Sequence, residues 1–128
     1  AAVPAAVGAN NHMGSRFTED RKGIRLVLAQ LQSRSMFYID SFTSAASVGE
    51  ATAQRMGLPT ARRTVFLDNE QQGGAICRQL ALLATKATVE GQAIAIGHPN
   101  RAMVEALTSC AAERLSGVQL VGAERLVR

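Results

Sequence analysis

A chain of 128 residues, 47% hydrophobic and 19% charged, carries enough apolar material for one domain with a core and does not have the composition of a disordered segment. Its net charge of +4 comes from 12 Arg and 2 Lys against 10 acids, and apart from Arg62-Arg63 the bases are scattered, so no nucleic-acid footprint is expected. Aromatic residues make up 4%, with no Trp and one Tyr, which argues against a base-stacking platform or an aromatic sugar cleft.

No apolar run approaches the roughly 20 residues of a membrane span. Ala1-Ala2-Val3-Pro4 lacks the pattern of a leader and reads like the interior of a domain. Residues 5–9 are short, apolar and Gly-containing, and a first strand is expected there. The loop Asn10-Asn11-His12-Met13-Gly14-Ser15 follows, dense in side chains able to ligate or hydrogen-bond. Thr18 is expected to cap a helix, with Glu19 and Asp20 in its first turn and Ile24, Val27, Leu28 and Leu31 on one face.

Met36-Phe37-Tyr38-Ile39 reads as a buried strand stopping at Asp40-Ser41. Ser44 is expected to cap a helix through Val48, Ala51 and Arg55, ending at Gly57. Thr64-Val65-Phe66-Leu67 is the next strand, stopping at Asp68-Asn69. Gly73-Gly74 opens a long helix with Ile76, Leu80, Leu83 and Ala87 inward, closed by Gly91. Ala93-Ile94-Ala95-Ile96 is a fourth strand and stops at Gly97-His98-Pro99. A helix with Met103, Leu107, Ala111 and Leu115 inward and a last strand at Val118-Gln119-Leu120-Val121 complete the pattern. Cys77 and Cys110 fall in helical patterns outside any CxxC or finger spacing, so buried thiols are expected, with a disulfide left open. The pair does not decide a redox compartment.

The βα period of about 25–30 residues and the continuous apolar strands suit a parallel α/β sheet covered on both sides. Such architectures bind ligands at the carboxyl ends of their strands. Four strands here end in functional side chains: Asn10-Asn11-His12, Asp40-Ser41, Asp68-Asn69 and His98, and these ends are expected to face one mouth. The chain's two His both lie at such ends. Each residue also has a plainer reading. His12 would pin its loop, His98 would serve a turn between Gly97 and Pro99, and Asp40, Ser41, Asp68 and Asn69 would cap helices. Arg62 and Arg63 precede a strand and are assigned to the opposite end, as surface charges. Taken together, an imidazole and carboxylates could hold a divalent metal with a water, while a second imidazole protonates a leaving group, which is hydrolase chemistry. Neither a phosphate loop nor a GxSxG nucleophile elbow is present.

Asn10-Asn11-His12-Met13-Gly14-Ser15-Arg16-Phe17-Thr18, Phe37-Tyr38-Ile39-Asp40-Ser41, Val65-Phe66-Leu67-Asp68-Asn69 and Ala93-Ile94-Ala95-Ile96-Gly97-His98-Pro99 together resemble, in order and spacing, the divergent polysaccharide deacetylase family. The resemblance implies a NodB-like distorted (β/α) barrel, incomplete here with about five strands and four helices, and residues 1–128 as one α/β domain forming its C-terminal half. It implies metal-dependent hydrolysis of acetyl groups from a bacterial cell-envelope glycan, with zinc as the expected ion and a periplasmic or envelope location. By the same resemblance His12 is a metal ligand, and His98 and Asp40 are catalytic. Asn10, Asn11, Ser15, Ser41, Asp68 and Asn69 then line the substrate pocket. The family pattern has Arg where this chain has Phe42 and Asp where it has Thr64, so a charge beside Asp40 is expected to be lost. The family's Asp-Asp strand and a further His-containing strand are not in these 128 residues. Two alternatives remain: a non-catalytic envelope or interaction domain retaining the fold, and a small receiver-like binding module that would leave both His unused. Self-association through exposed sheet edges is expected of an incomplete barrel.

Overall fold

A computed structural model describes residues 3–128, so the start of the Ala1–Pro4 stretch lies outside the described residues. The chain is mixed α/β with short parallel strands, and it divides into two compact units: Ala1–Arg62 with Ala123–Arg128, and Arg63–Gly122.

In the first unit, strand β2 (Phe37–Asp40) lies between β1 (Gly8–Asn10) and β3 (Thr60–Arg62), all parallel. The register pairs Asn10 with Ile39 and Asp40 with Arg62. The expected single helix from Thr18 is instead two, α1 (Ser15–Glu19) and α2 (Arg21–Gln32). Thr18 is buried inside α1, where its hydroxyl donates to the Ser15 carbonyl. Asp20 caps α2 by accepting from the Lys22 N–H. Of the proposed inward face, Ile24 and Leu28 are buried and Leu31 packs beside them, while Val27 is exposed. Positions 24, 28 and 31 form a narrow stripe, and 27 sits at its edge. The third helix, α3 (Gly49–Arg55), starts five residues after Ser44. The Ser44 hydroxyl is used in a turn, accepting from the Ala46 N–H and donating to Glu19. Ile24, Leu28, Tyr38, Ala53 and Leu58 form the core of this unit.

Strand β3 is too short and polar for an apolar-run criterion. Tertiary pairing makes it: the Tyr38 N–H donates to the Pro59 carbonyl and the Thr60 hydroxyl to the Tyr38 carbonyl. The outer edge of β3 is met by the end of the chain, where Thr60 and Arg128 exchange backbone N–H to carbonyl bonds. The expected strand at 118–121 does not form. Leu120 is exposed there, and the Val118 N–H closes a turn on Leu115. An apolar run becomes a strand only when a sheet edge is open to it.

In the second unit β4 (Val65–Phe66) pairs in parallel with β5 (Ala95–Ile96). The long helix α4 (Gly73–Glu90) ends at Gly91, whose φ of 83° is the left-handed closure that glycine adopts without a Cβ penalty. The last helical stretch is broken into α5 (Arg101–Ser109) and α6 (Ala111–Arg114) at Cys110. Val65, Leu67, Ile76, Leu80, Met103, Ala106 and Leu115 form the core, and Leu107, expected inward, is half exposed.

The cysteines are a disulfide, Cys77–Cys110, with Cα atoms 6.1 Å apart across 33 residues. The sequence spacing does not show the pairing because α4 and the end of α5 meet only after the helices pack. Closing a loop of that length restricts the unfolded chain, so reduction or Cys110→Ser should lower stability by about 3 kcal/mol. The shift in urea midpoint between oxidised and reduced protein measures it. Among the described residues no helix is long and apolar enough to cross a membrane.

Candidate functional site

The first unit gathers its polar residues at the carboxyl ends of β1 and β2. Asn11 is the link. Its side-chain oxygen accepts from the Tyr38 hydroxyl at 2.9 Å and the Ser41 N–H at 2.8 Å. Its Nδ2 is buried without a hydrogen-bond partner. The Ser41 hydroxyl donates to the Asn11 carbonyl, and the Asn10 amide donates to Ser41 Oγ at 3.0 Å. Ser15 Oγ donates to Thr43 Oγ1 at 2.9 Å, so the loops after β1 and β2 are tied at a second point. Met13 and Phe42 turn these loops with φ of 58° and 47°, a region that costs non-glycine residues about 1–2 kcal/mol. His12 is exposed in the first loop.

Asp40 is fully buried, and both its oxygens are in use. Oδ1 accepts from the Phe42 N–H at 2.9 Å; Oδ2 accepts from Ser47 Oγ at 2.7 Å and the Glu50 N–H at 3.0 Å. The carboxylate thus holds the strained residue 42 and the first turn of α3 together. Gly49 is required beside it, since a Cβ there would lie 2.6 Å from Asp40 Oδ2 and 2.8 Å from the Tyr38 hydroxyl.

Burial, and then the negative charge of Asp40, push the Tyr38 hydroxyl above the usual tyrosine range. The folded protein therefore holds this proton more tightly than the unfolded chain. The contribution is complete below the unfolded value of 10.0 and declines as pH rises above it. Urea midpoints measured from pH 9 to 11 should fall for the wild type and fall less steeply for Tyr38→Phe.

Arg62 was placed by its sequence position at the far end of the sheet; the structure reverses this. Its Cα is paired with that of Asp40 at the carboxyl end. Its guanidinium carbon lies 4.9 Å from the centre of the Phe42 ring, and Nε is 3.6 Å from Glu50 Oε2. The Arg62 cation stands over Phe42, while the Asp40 carboxylate is held by the Phe42 and Glu50 N–H groups and the Ser47 hydroxyl. The error came from missing β3, which moves residue 62 from the start of one strand to the end of another.

In the second unit, Asp68 ends the strand region of β4 and its side chain is fully buried. It accepts three donors: the His98 N–H at 3.1 Å, His98 Nδ1 at 3.1 Å, and Asn100 Nδ2 at 2.9 Å. A carboxylate accepts only, which favours the tautomer with the proton on Nδ1. The His98 side chain is 45% exposed, and the Phe66 ring lies 5.7 Å from the imidazole. Asn100 also caps α5, its Oδ1 accepting from the Met103 N–H. Gly97 leaves room for this, since a Cβ would strike the Met103 methyl and approach Asp68 Oδ1 to 3.3 Å. Asn69 is exposed beside Asp68. The Thr64 hydroxyl accepts from the Ile94 N–H at the start of the β4–β5 pair.

The structure therefore joins Asn10, Asn11, Asp40, Ser41 and Ser15 in one unit, and Asp68 with His98 in the other. Tyr38, Asn100 and Arg62 were missed as site residues. Asn100 had a legible signal, an Asn directly before a helical run. Tyr38 had none, because a buried hydroxyl in an apolar strand reads as core.

Comparison with known proteins gives this arrangement a family. The sequence model of the divergent polysaccharide deacetylases matches residues 1–127. The chain is 35% identical over 125 residues to uncharacterized protein YibQ of Escherichia coli (strain K12), covering 98% of this chain and 39% of that one. It is 34% identical over 126 residues to an uncharacterized protein of Haemophilus influenzae, covering 98% of this chain and 45% of the relative. The solved structure of uncharacterized protein ATU2773 from Agrobacterium tumefaciens C58 matches with a TM-score of 0.87 at 27% identity, over 94% of this chain and 50% of that one. The chain thus spans half or less of the length of these relatives. Its sequence match from end to end, and the close likeness of its fold to a chain that is twice as long, make it a member of the divergent polysaccharide deacetylase family.

Proposed function

We propose that the chain supplies the proton-transferring part of a hydrolase that removes acetyl groups from a cell-envelope glycan. The Asp68–His98 pair carries this proposal. A buried carboxylate 3.1 Å from Nδ1 favours the proton there, and Nε2 is then the atom that would exchange a proton with substrate. In hydrolysis, water adds to the acetyl carbonyl carbon and gives up one proton to Nε2. The bond from that carbon to the sugar's nitrogen or oxygen then breaks, and the departing atom takes the proton from Nε2. Acetate and the free sugar amine or hydroxyl are the products. Asn100 acts on His98 through Asp68 and is a positioning residue.

The remaining candidates divide by what their atoms are already doing. Asn11, Asp40 and Ser41 hold the strand-end loops; in the first unit Asn10, exposed though its amide donates to Ser41, and in the second unit Asn69, also exposed, are each candidates to meet a sugar hydroxyl. Ser15, whose hydroxyl is bonded to Thr43, is a further candidate for contact with the sugar. Family membership supports the glycan class and the extension of these parallel βα units to a NodB-like barrel. The disulfide supports an oxidising compartment such as the bacterial envelope.

For a divalent metal, zinc by expectation, His12 is the proposed ligand. Among the described residues no three His, Cys, Asp or Glu are grouped to hold an ion, and the Asp40 oxygens are occupied by their own chain. The residues present do not fit a metal centre by themselves, and no step above passes through one. Zinc titrated into residues 1–128 in a calorimeter should show no tight stoichiometric binding; tight binding lost in His12→Ala would show a complete site.

The function is tested by acetate release from acetylated glycans. Release that is lost in His98→Gln supports the proposal. A folded protein, supplied with metal, that releases no acetate from any of them favours a non-catalytic envelope domain.

A further inference from the structure

The guanidinium of Arg62 is held in a way that its sequence neighbours do not explain. It ends β3 at the carboxyl edge of the sheet, in register with Asp40. One buried carboxylate organises its surroundings. Asp40 Oδ1 fixes the backbone of Phe42, and Oδ2 fixes the backbone of Glu50. Those two residues then place their side chains on Arg62: the Phe42 ring at 4.9 Å from the guanidinium carbon and the Glu50 carboxylate at 3.6 Å from Nε. Phe42 adopts a left-handed φ of 47° in doing so, and the fold would be relieved of that strain by a glycine.

What this arrangement leaves available is specific. The Glu50 carboxylate is near Nε, and the Nη donors make no hydrogen bond among the described residues. The side chain is 56% exposed. A planar cation, stacked on an aromatic ring and limited in its rotations, has already lost part of the freedom that binding would otherwise cost it. Its free donors form a fork suited to two oxygens of one oxyanion. A surface ion pair alone would not need a buried carboxylate behind it or a strained phenylalanine beside it.

We propose that Arg62 is an anion-binding subsite, and that the glycan bound by this protein carries an oxyanion, a carboxylate or a phosphate ester. This deepens the glycan assignment above and rests on it for the sugar, while the anion preference is read from Arg62 alone.

Binding is measured by calorimetry on the intact protein with three probes. One is a neutral hexamer of N-acetylglucosamine, one a hexamer alternating N-acetylglucosamine with glucuronate, and one inorganic phosphate. The acidic hexamer should bind at least about tenfold more tightly than the neutral one, as expected for a charge-assisted pair. Arg62→Ala should remove that preference while leaving the neutral hexamer's affinity unchanged, and Arg62→Lys, which keeps the charge without the fork, should retain only part of it. Melting temperatures of both variants should stay close to that of the wild type, since Arg62 is exposed and its Nε stands 3.6 Å from the half-buried Glu50 carboxylate. Equal binding of the two hexamers, or a preference that survives Arg62→Ala, overturns the subsite and leaves the deacetylase proposal to the acetate assay. Phosphate competing as strongly as the acidic hexamer overturns the glycan as the source of the anion. Binding of neither hexamer overturns the subsite as well.

Discussion

Asp68→Asn should reduce the rate of acetate release by about 10²–10³-fold with little change in KM. An amide oxygen in the place of Oδ2 can still meet the three donors that converge there, but it is uncharged, and the N–H group that replaces Oδ1 faces His98 Nδ1 at 3.3 Å. The imidazole then loses the partner that sets its tautomer, and Nε2 no longer presents the proton that the leaving group needs. The same substitution should cost about 1–3 kcal/mol of stability, because a charged buried acceptor becomes neutral and a buried N–H group is set against His98 Nδ1. Those two effects separate experimentally. His98→Gln should lose the same activity without the full stability loss, and the double variant should be no slower than either single one, as residues acting as one unit are non-additive. Activity that falls only as far as the folded fraction falls would sink the catalytic role of the pair.

The largest effect on stability should come from Asp40→Ala, about 3–5 kcal/mol. Three donors lose a charged, fully buried acceptor: the Phe42 N–H, the Ser47 hydroxyl and the Glu50 N–H. The Ser41 and Ser44 hydroxyls of the same loop are already engaged and do not replace it. Phe42 would also be released from its left-handed conformation, which recovers a small part of the loss. Gly49→Ala offers an independent check on the same cluster, at about 1–3 kcal/mol, from a methyl group forced against Asp40 Oδ2 and the Tyr38 hydroxyl. Urea denaturation of the purified variants reads both. If Asp40→Ala leaves the midpoint unchanged, the carboxylate is not the anchor of these loops.

These two carboxylates illustrate how identical sequence positions diverge. Each ends an apolar strand run, and each was legible as either a cap or a site residue. In the fold, Asp40 binds backbone and a serine of its own loop, with no imidazole among those partners. Asp68 binds His98, whose ring reaches solvent. The difference lies in what the chain brings alongside 30 residues later, and no local pattern contains it.

The sequence by itself determined the βα period, the strands around Tyr38, Val65 and Ala95, the long helix closed at Gly91, and the clustering of polar side chains at strand ends. Those features follow from local chemistry: apolar runs, helical spacing and a glycine free to take a positive φ. The family was legible as well, because its motifs are short contiguous blocks. Only the tertiary structure decided that 60–62 is a strand while 118–121 is not, since an edge to pair with is a property of the folded sheet. Only it showed that Cys77 meets Cys110, that Asn100 steadies Asp68, and that Arg62 stands at the carboxyl end over Phe42. Each of these joins residues about 20 or more positions apart, and such pairings depend on how elements pack, which periodicity along the chain does not encode.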